Sequence, residues 1–105
     1  MKITKVTEEY IQFNNGKKIT FDHEQDHCEY NYADFLQIND LALDQEFKEP
    51  LDFEIVEGFG FRIGNLPFKM YGIPCYTEQN GYYTKDIDIY YDGTKVVHTI
   101  CEYSD

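Results

Sequence analysis

Three short turn signals punctuate this chain, and each lies between stretches in which apolar and polar residues alternate. They are Asn14-Asn15-Gly16, Gln79-Asn80-Gly81 and Asp92-Gly93. Asn or Asp followed by Gly accepts the positive φ that closes a tight hairpin, and a period of two marks a strand with one buried face. A chain patterned this way is constrained to antiparallel strands joined by hairpins.

Loop length follows from the register that puts apolar residues on a common face. A three-residue loop ending at Gly16 sets Ile11 opposite Ile19 and Glu9 opposite Phe21, whereas a two-residue loop would set Ile11 against Thr20. Around Asn80-Gly81, a three-residue loop pairs Tyr71 with Ile89, Ile73 with Ile87 and Thr77 with Tyr83. At Asp92-Gly93, a two-residue turn pairs Ile89 with Val96 and Ile87 with His98. Residues 71–102 then read as a three-stranded meander. Its buried face carries Tyr71, Ile73, Cys75, Ile87, Ile89, Tyr91, Val96, His98 and Ile100, with Asp86 and Asp88 outside.

Upstream, Phe53, Ile55, Phe59, Phe61 and Ile63 recur on every second residue with only Glu57 interrupting, which predicts one strand over 53–63. Gly58 and Gly60 fall on its other face and suggest a bulge or a close backbone approach. Asp34-Phe35-Leu36-Gln37 has the form of a capping box and is followed by Ile38, Leu41 and Ala42 at helical spacing, so one short helix is expected near 34–44. The expected fold class is therefore mainly β (α+β), an antiparallel sheet of about six strands built from hairpins, with one short helix. At 105 residues the chain affords one core, hence a single domain over 1–105.

The net charge of −11 is unevenly spread, because residues 22–57 hold twelve acids and a single base, Lys48, while the rest of the chain is balanced. Such a field repels nucleic acid and acidic membranes and steers basic partners inward. No apolar run approaches the roughly 20 residues of a membrane span, and Met1–Val6 lacks the pattern of a secretory signal, so a cytoplasmic protein is expected. Three cysteines without an export signal read as reduced thiols.

The densest set of chemically capable side chains is Asp22-His23-Glu24-Gln25-Asp26-His27-Cys28-Glu29. A metal site there would use His23, His27 and Cys28, with zinc or another transition metal as cofactor; no further ligand pair follows at a familiar spacing. A thiol enzyme would use Cys28, yet the flanking Glu24, Asp26 and Glu29 disfavour a thiolate. A recognition segment would present His23, Gln25, Asp26, His27, Cys28 and Glu29 to a polar or cationic partner, and packing at a strand end competes equally with it. His98, on the apolar face of its strand, reads as a core histidine. Cys75 and Cys101 fall on opposite faces, and Cys75, set opposite Lys85, reads as a half-buried structural thiol. The Tyr82-Tyr83 and Tyr90-Tyr91 pairs lack the basic groove that a single-strand stacking platform needs.

The stretch from Ile3 through Asn14-Asn15-Gly16 to the 23–29 cluster, followed by Tyr30 and Tyr32, resembles an uncharacterised domain family of phage and bacterial genomes. That family carries a His-x-x-Gln-Asp-Cys-Cys-Glu-like segment after an N-terminal hairpin. The matching positions are His23, Gln25, Asp26, Cys28 and Glu29, and the chain departs at His27, where the family has a first cysteine. The resemblance covers residues 3–60 and implies a phage or mobile-element origin; it supplies no activity.

Together these readings favour a small acidic, non-catalytic binding module, with no cofactor, acting on a protein partner that has a basic surface, without direct nucleic-acid or membrane binding. Its sharpest form is an inhibitor or immunity-type protein whose carboxylates imitate a polyanion. The alternatives are the metal-binding protein using His23, His27 and Cys28 and the thiol enzyme at Cys28. Oligomeric state is open.

Overall fold

The computed structural model describes residues 1–22, 30–40, 42–78 and 85–103. Among them the chain forms ten strands: β1 (Ile3–Val6), β2 (Tyr10–Phe13), β3 (Lys18–Asp22), β4 (Tyr30–Ala33), β5 (Asp52–Val56), β6 (Gly60–Gly64), β7 (Met70–Glu78), β8 (Asp86–Tyr91), β9 (Thr94–Ile100) and β10 (Glu102–Tyr103). The strands make two sheets rather than one. The first runs β1-β2-β3-β8-β9; the second runs β10-β7-β6-β5, with β4 also paired to β7. Every pairing is antiparallel except the two-residue parallel contact of β10 with β7.

The first hairpin forms in the register that its apolar residues favour. Ile11 stands opposite Ile19, and Gly16 closes the three-residue loop with a φ of 88°. Both isoleucines and Phe13 are fully buried. The predicted pairing of Glu9 with Phe21 is absent because β2 begins at Tyr10, opposite Thr20.

Several further expectations are corrected. The 71–102 meander does not form: β7 pairs with β6 and β4, while β8 pairs with β3 and β9, so the chain passes from one sheet to the other between them. Tyr71 faces Ile63 and Ile73 faces Phe61, whereas Ile89 faces Phe21. A register test scores apolar residues that meet, and residues meet equally well across a sandwich and along a ladder. The Gln79-Asn80-Gly81 turn and Tyr82-Tyr83 lie outside the described residues.

The 53–63 stretch is two strands folded at Glu57-Gly58-Phe59, where Phe59 N donates to Val56 O at 3.1 Å and Gly58 has a φ of 78°. Glu57, the one interruption in the apolar series, marks the turn. The close backbone approach foreseen for this segment occurs at Gly60. A Cβ there would collide with the carbonyl oxygen of Ile73 and stand 2.8 Å from Cys75 N, on the strand that carries both halves of the sheet.

At Asp92-Gly93 the two-residue turn is present, with Tyr91 opposite Thr94, but a bulge between Ile89 and Tyr90 shifts the register by one. Ile89 therefore faces Val97 and Ile87 faces Thr99, and the inward set of β9 becomes Val97 and Thr99. One inserted residue exchanges the faces of a strand. Val96, His98 and Ile100, expected inside, are consequently exposed.

The expected helix is a 3₁₀ helix over Phe35–Asp40. The expected capping box does not form at its entry: Gln37 N donates to the Asp34 carbonyl and Gln37 Nε2 to Asp34 Oδ2, both at 3.3 Å, while the Asp34 amide bonds Pro74 O. Asn39 and Asp40 are weak helix formers and follow within one turn, which limits its length. Phe35, Ile38 and Ala42 are buried; Leu41 lies outside the described residues.

Between the sheets, Ile11, Phe13, Ile19, Ile87 and Ile89 from one layer meet Phe61, Ile63, Tyr71, Ile73 and Cys75 from the other. The connector after the helix closes one side: Phe47 packs edge-on against Phe13 and Tyr71, with ring centroids 5.8 and 5.7 Å away. Asn65 holds it by accepting from Lys48 N at 2.7 Å and donating to Lys48 O at 2.8 Å. A buried polar bridge ties the layers together elsewhere. Thr77 Oγ1 donates to Asn31 Oδ1, and Asn31 Nδ2 donates to the Asp86 carbonyl at 3.0 Å, linking β4 and β7 to β8.

Candidate functional site

The 23–29 segment, with His23, Gln25, Asp26, His27, Cys28 and Glu29, lies outside the described residues. Among the described residues, no group of three or more His, Cys, Asp or Glu side chains is arranged to hold a metal ion. No helix among them is long and apolar enough to cross a membrane.

The remaining candidates are placed differently from expectation. His98 stands on the outer face of the first sheet, its Nδ1 2.7 Å from Asp88 Oδ1 and its Nε2 3.5 Å from Asp86 Oδ2, with Lys95 Nζ 3.9 Å from Asp88. It is a surface residue in contact with Asp88, not a core histidine, as the β9 bulge dictates. Cys75 and Cys101 do not point apart: both are fully buried free thiols. Burial pushes the Cys75 thiol far above its ordinary value, reinforced by the neighbouring Cys101, and burial pushes Cys101 up to about 12. Thiols held protonated are poor nucleophiles. Cys75 faces Ala33 rather than Lys85.

A different constellation forms where β4 meets the end of β7. In the alternation Tyr30-Asn31-Tyr32-Ala33, the even side chains turn outward while Asn31 and Ala33 are buried. Antiparallel pairing then sets Tyr30 opposite Glu78 and Tyr32 opposite Tyr76 on the same outer face. Tyr30 and Tyr32 stack with centroids 4.9 Å apart and planes 21° apart, and Tyr76 continues the row at 5.9 Å from Tyr32.

Carboxylates surround this row. The turn between β1 and β2 brings up Glu8 and Glu9: Thr7 Oγ1 accepts from the Glu9 and Tyr10 amides, both at 3.1 Å, which leaves the two glutamates at an exposed apex. Asp34, held by its amide's 2.8 Å bond to Pro74 O, comes from the entry to the 3₁₀ helix. The result is a cleft of about 260 Å³ lined by Glu8, Tyr30, Tyr32, Ala33, Asp34, Phe35, Leu36 and Glu78.

Among the described residues nothing compensates its charge. Several acids elsewhere have cationic partners: Lys17 for Glu49 at 3.1 Å, Arg62 for Glu54 at 2.5 Å, and Lys95 for Asp88 at 3.9 Å. Among the described residues no basic side chain lies within ion-pair distance of Glu8, Asp34 or Glu78. The protein's lysines instead cover other tyrosines, Lys18 over Tyr10 at 4.4 Å, Lys85 over Tyr103 at 4.7 Å, Lys69 over Tyr71 at 5.3 Å and Lys17 over Tyr91 at 5.7 Å. The Tyr30–Tyr32 pair has no such cover among the described residues. Its phenols are shifted upward, Tyr30 by burial and then Glu8, Glu78 and Glu9, Tyr32 by burial and then Glu78 and Asp34.

Chemically, this arrangement offers aromatic faces and carboxylate oxygens, both of which attract a cation. Among the described residues the lining includes no His, Cys, Ser, Thr or Lys side chain, so these residues supply no nucleophile paired with a base. At 260 Å³ it lies below the roughly 300–1,000 Å³ of small-molecule sites and suits one side chain better than a nucleotide-sized cofactor.

The sequence carried one signal for this site, the alternation at 30–33. A polar Asn on the inward face obscured it, and bonds with Thr77 and the Asp86 carbonyl help Asn31 to be tolerated there. Comparison of the chain with protein-family models, curated proteins and solved structures gives no significant match in any of the three.

Proposed function

We propose that this protein is a non-catalytic binding module that engages the basic surface of a partner protein. The observation that carries this reading is the carboxylate-lined tyrosine cleft, whose charge no described residue of the chain neutralises. Asp44, Glu46, Glu49 and Glu57 are also exposed and add to the net negative charge, although Glu46 and Glu49 stand beside Met1 and Asn15, at the other end of the β1–β2 hairpin from Glu8, and pair with the N-terminal amine and Lys17. A partner whose cations enter the cleft would be drawn in by this wider field and oriented by the aromatic row. An inhibitor or immunity-type protein that imitates a polyanion, of phage or mobile-element origin, is the narrower form of the same reading.

Titration with a hexapeptide alternating Lys and Arg tests it. Binding should weaken steeply as salt rises from about 50 to about 300 mM, since the Debye length shrinks over that range. It should also fall in the Glu8→Gln/Glu78→Gln variant. No binding, or binding indifferent to salt and to these substitutions, would overturn the reading.

A further inference from the structure

We infer that the cleft between β4, the β1–β2 turn and the 3₁₀ helix is a receptor for a single arginine side chain of the partner, selected over lysine. The inference rests on the binding function proposed above and makes it specific.

Three features of the site discriminate between the two cations. The Tyr30 and Tyr32 rings stack 4.9 Å apart, which covers their facing sides, so a cation can be held only over the outer ring face at the exposed Tyr30 end of the row. A planar guanidinium stacks on such a ring face, whereas an ammonium approaches it only as a point charge and must shed a tighter hydration shell. The carboxylates are also spread out. Glu8 rises from the β1–β2 turn, Glu78 ends β7 opposite Tyr30, and Asp34 sits beyond Tyr32 at the helix entry. Five donors in a rigid fork can bond two separated carboxylates at once, while three donors on one nitrogen serve a single locus.

The third feature is the apolar surface of Leu36, 41% exposed at the cleft, with Ala33 and Phe35 buried beside it. An arginine stem has methylenes to lay against this surface while its head reaches the carboxylates. The volume of about 260 Å³ admits one such side chain. Exposure of Tyr30 at 44% keeps one end of the row open for entry.

Calorimetric titration of the full chain with hexaarginine, hexalysine and hexacitrulline peptides tests this. Citrulline keeps the shape of arginine without its charge. Hexaarginine should bind roughly tenfold more tightly than hexalysine, the ratio expected for one desolvated cation–π stack, and hexacitrulline should not bind. The double substitution Tyr30→Leu/Tyr32→Leu lies on an outer sheet face and should bring the two cationic peptides to within about twofold of each other without abolishing either. Equal, salt-sensitive affinity for hexaarginine and hexalysine in the unaltered protein would overturn the arginine inference and leave the binding function standing. Binding of neither would remove both. Should the double variant fail to fold, the three-peptide comparison on the unaltered chain still decides.

Discussion

Replacing Gly60 with Ala should destabilise the fold far more than the same change two residues earlier. Gly60 opens β6 at a φ of 155°, which side-chain-bearing residues rarely adopt, and a methyl there would strike the Ile73 carbonyl and stand 2.8 Å from Cys75 N. Both neighbours are backbone atoms of β7, the strand that carries β6 and β4, so neither can swing aside as a side chain would. Backbone strain of this kind costs about 1–3 kcal/mol and overpacking a further 1–3 kcal/mol. We take about 4 kcal/mol as the sum, a large part of the roughly 5–15 kcal/mol that holds a typical domain together. Gly58 has a φ of 78°, but a methyl added there would meet nothing within 4 Å, so Gly58→Ala should cost only the conformational part of about 1–2 kcal/mol. Urea denaturation followed by far-UV circular dichroism measures both. In thermal melts the Gly60→Ala loss should appear as a drop of roughly 15–30 °C. Equal costs at the two positions, or a Gly60→Ala variant within about 0.5 kcal/mol of the parent, would refute the hairpin geometry from which the figure is built.

Three further outcomes follow from the same structure. Thr77→Val removes the hydroxyl that bonds Asn31 inside the core and should cost about 1–3 kcal/mol by urea denaturation, with a double-mutant cycle against Asn31→Leu returning a coupling of about 1 kcal/mol. Glu49 accepts from Tyr91 Oη at 2.6 Å, Lys17 Nζ at 3.1 Å and Asn15 Nδ2 at 3.3 Å, and the bond from Tyr91, aided by Lys17 and Asn15, lowers its pKa below the ordinary 4.5. Because the folded value is the lower one, its contribution is complete above the ordinary value and is lost as pH falls through the lowered one. Glu49→Gln should therefore be less stable than the parent by about 1 kcal/mol at neutral pH, a figure discounted for exposure, and the gap should close in acid melts. Cys75 and Cys101 should resist iodoacetamide at pH 8 in the native protein and react fully in denaturant; mass mapping showing equal rates in both states would contradict their burial.

Local features of the fold were legible where local chemistry decides them. Gly16 had to close a three-residue loop for Ile11 and Ile19 to meet, and they do. Asp92-Gly93 had to turn, and Tyr91 and Thr94 flank it. What escaped was set by partners distant in sequence. Nothing within 71–89 reveals that Ile73 belongs beside Phe61 and Ile89 beside Phe21, because both pairings bury the same apolar surface. The β9 bulge at Val96 is likewise a tertiary outcome, and it carries His98 from the expected core to a surface contact with Asp88. The cleft was hidden for a related reason: its tyrosines come from β4, its carboxylates from three separate segments, and they are neighbours only after β4 docks on β7.

The central claim is that a cation binds against Tyr30 and Tyr32. The most direct test is an NMR titration of tyrosine-labelled protein with hexaarginine, which follows the ring resonances individually. The account predicts saturable shifts at Tyr30 and Tyr32, with a smaller change at Tyr76, while Tyr10 and Tyr103, already covered by Lys18 and Lys85, stay in place. Shifts at Tyr10 and Tyr103 with Tyr30 and Tyr32 unmoved would contradict it.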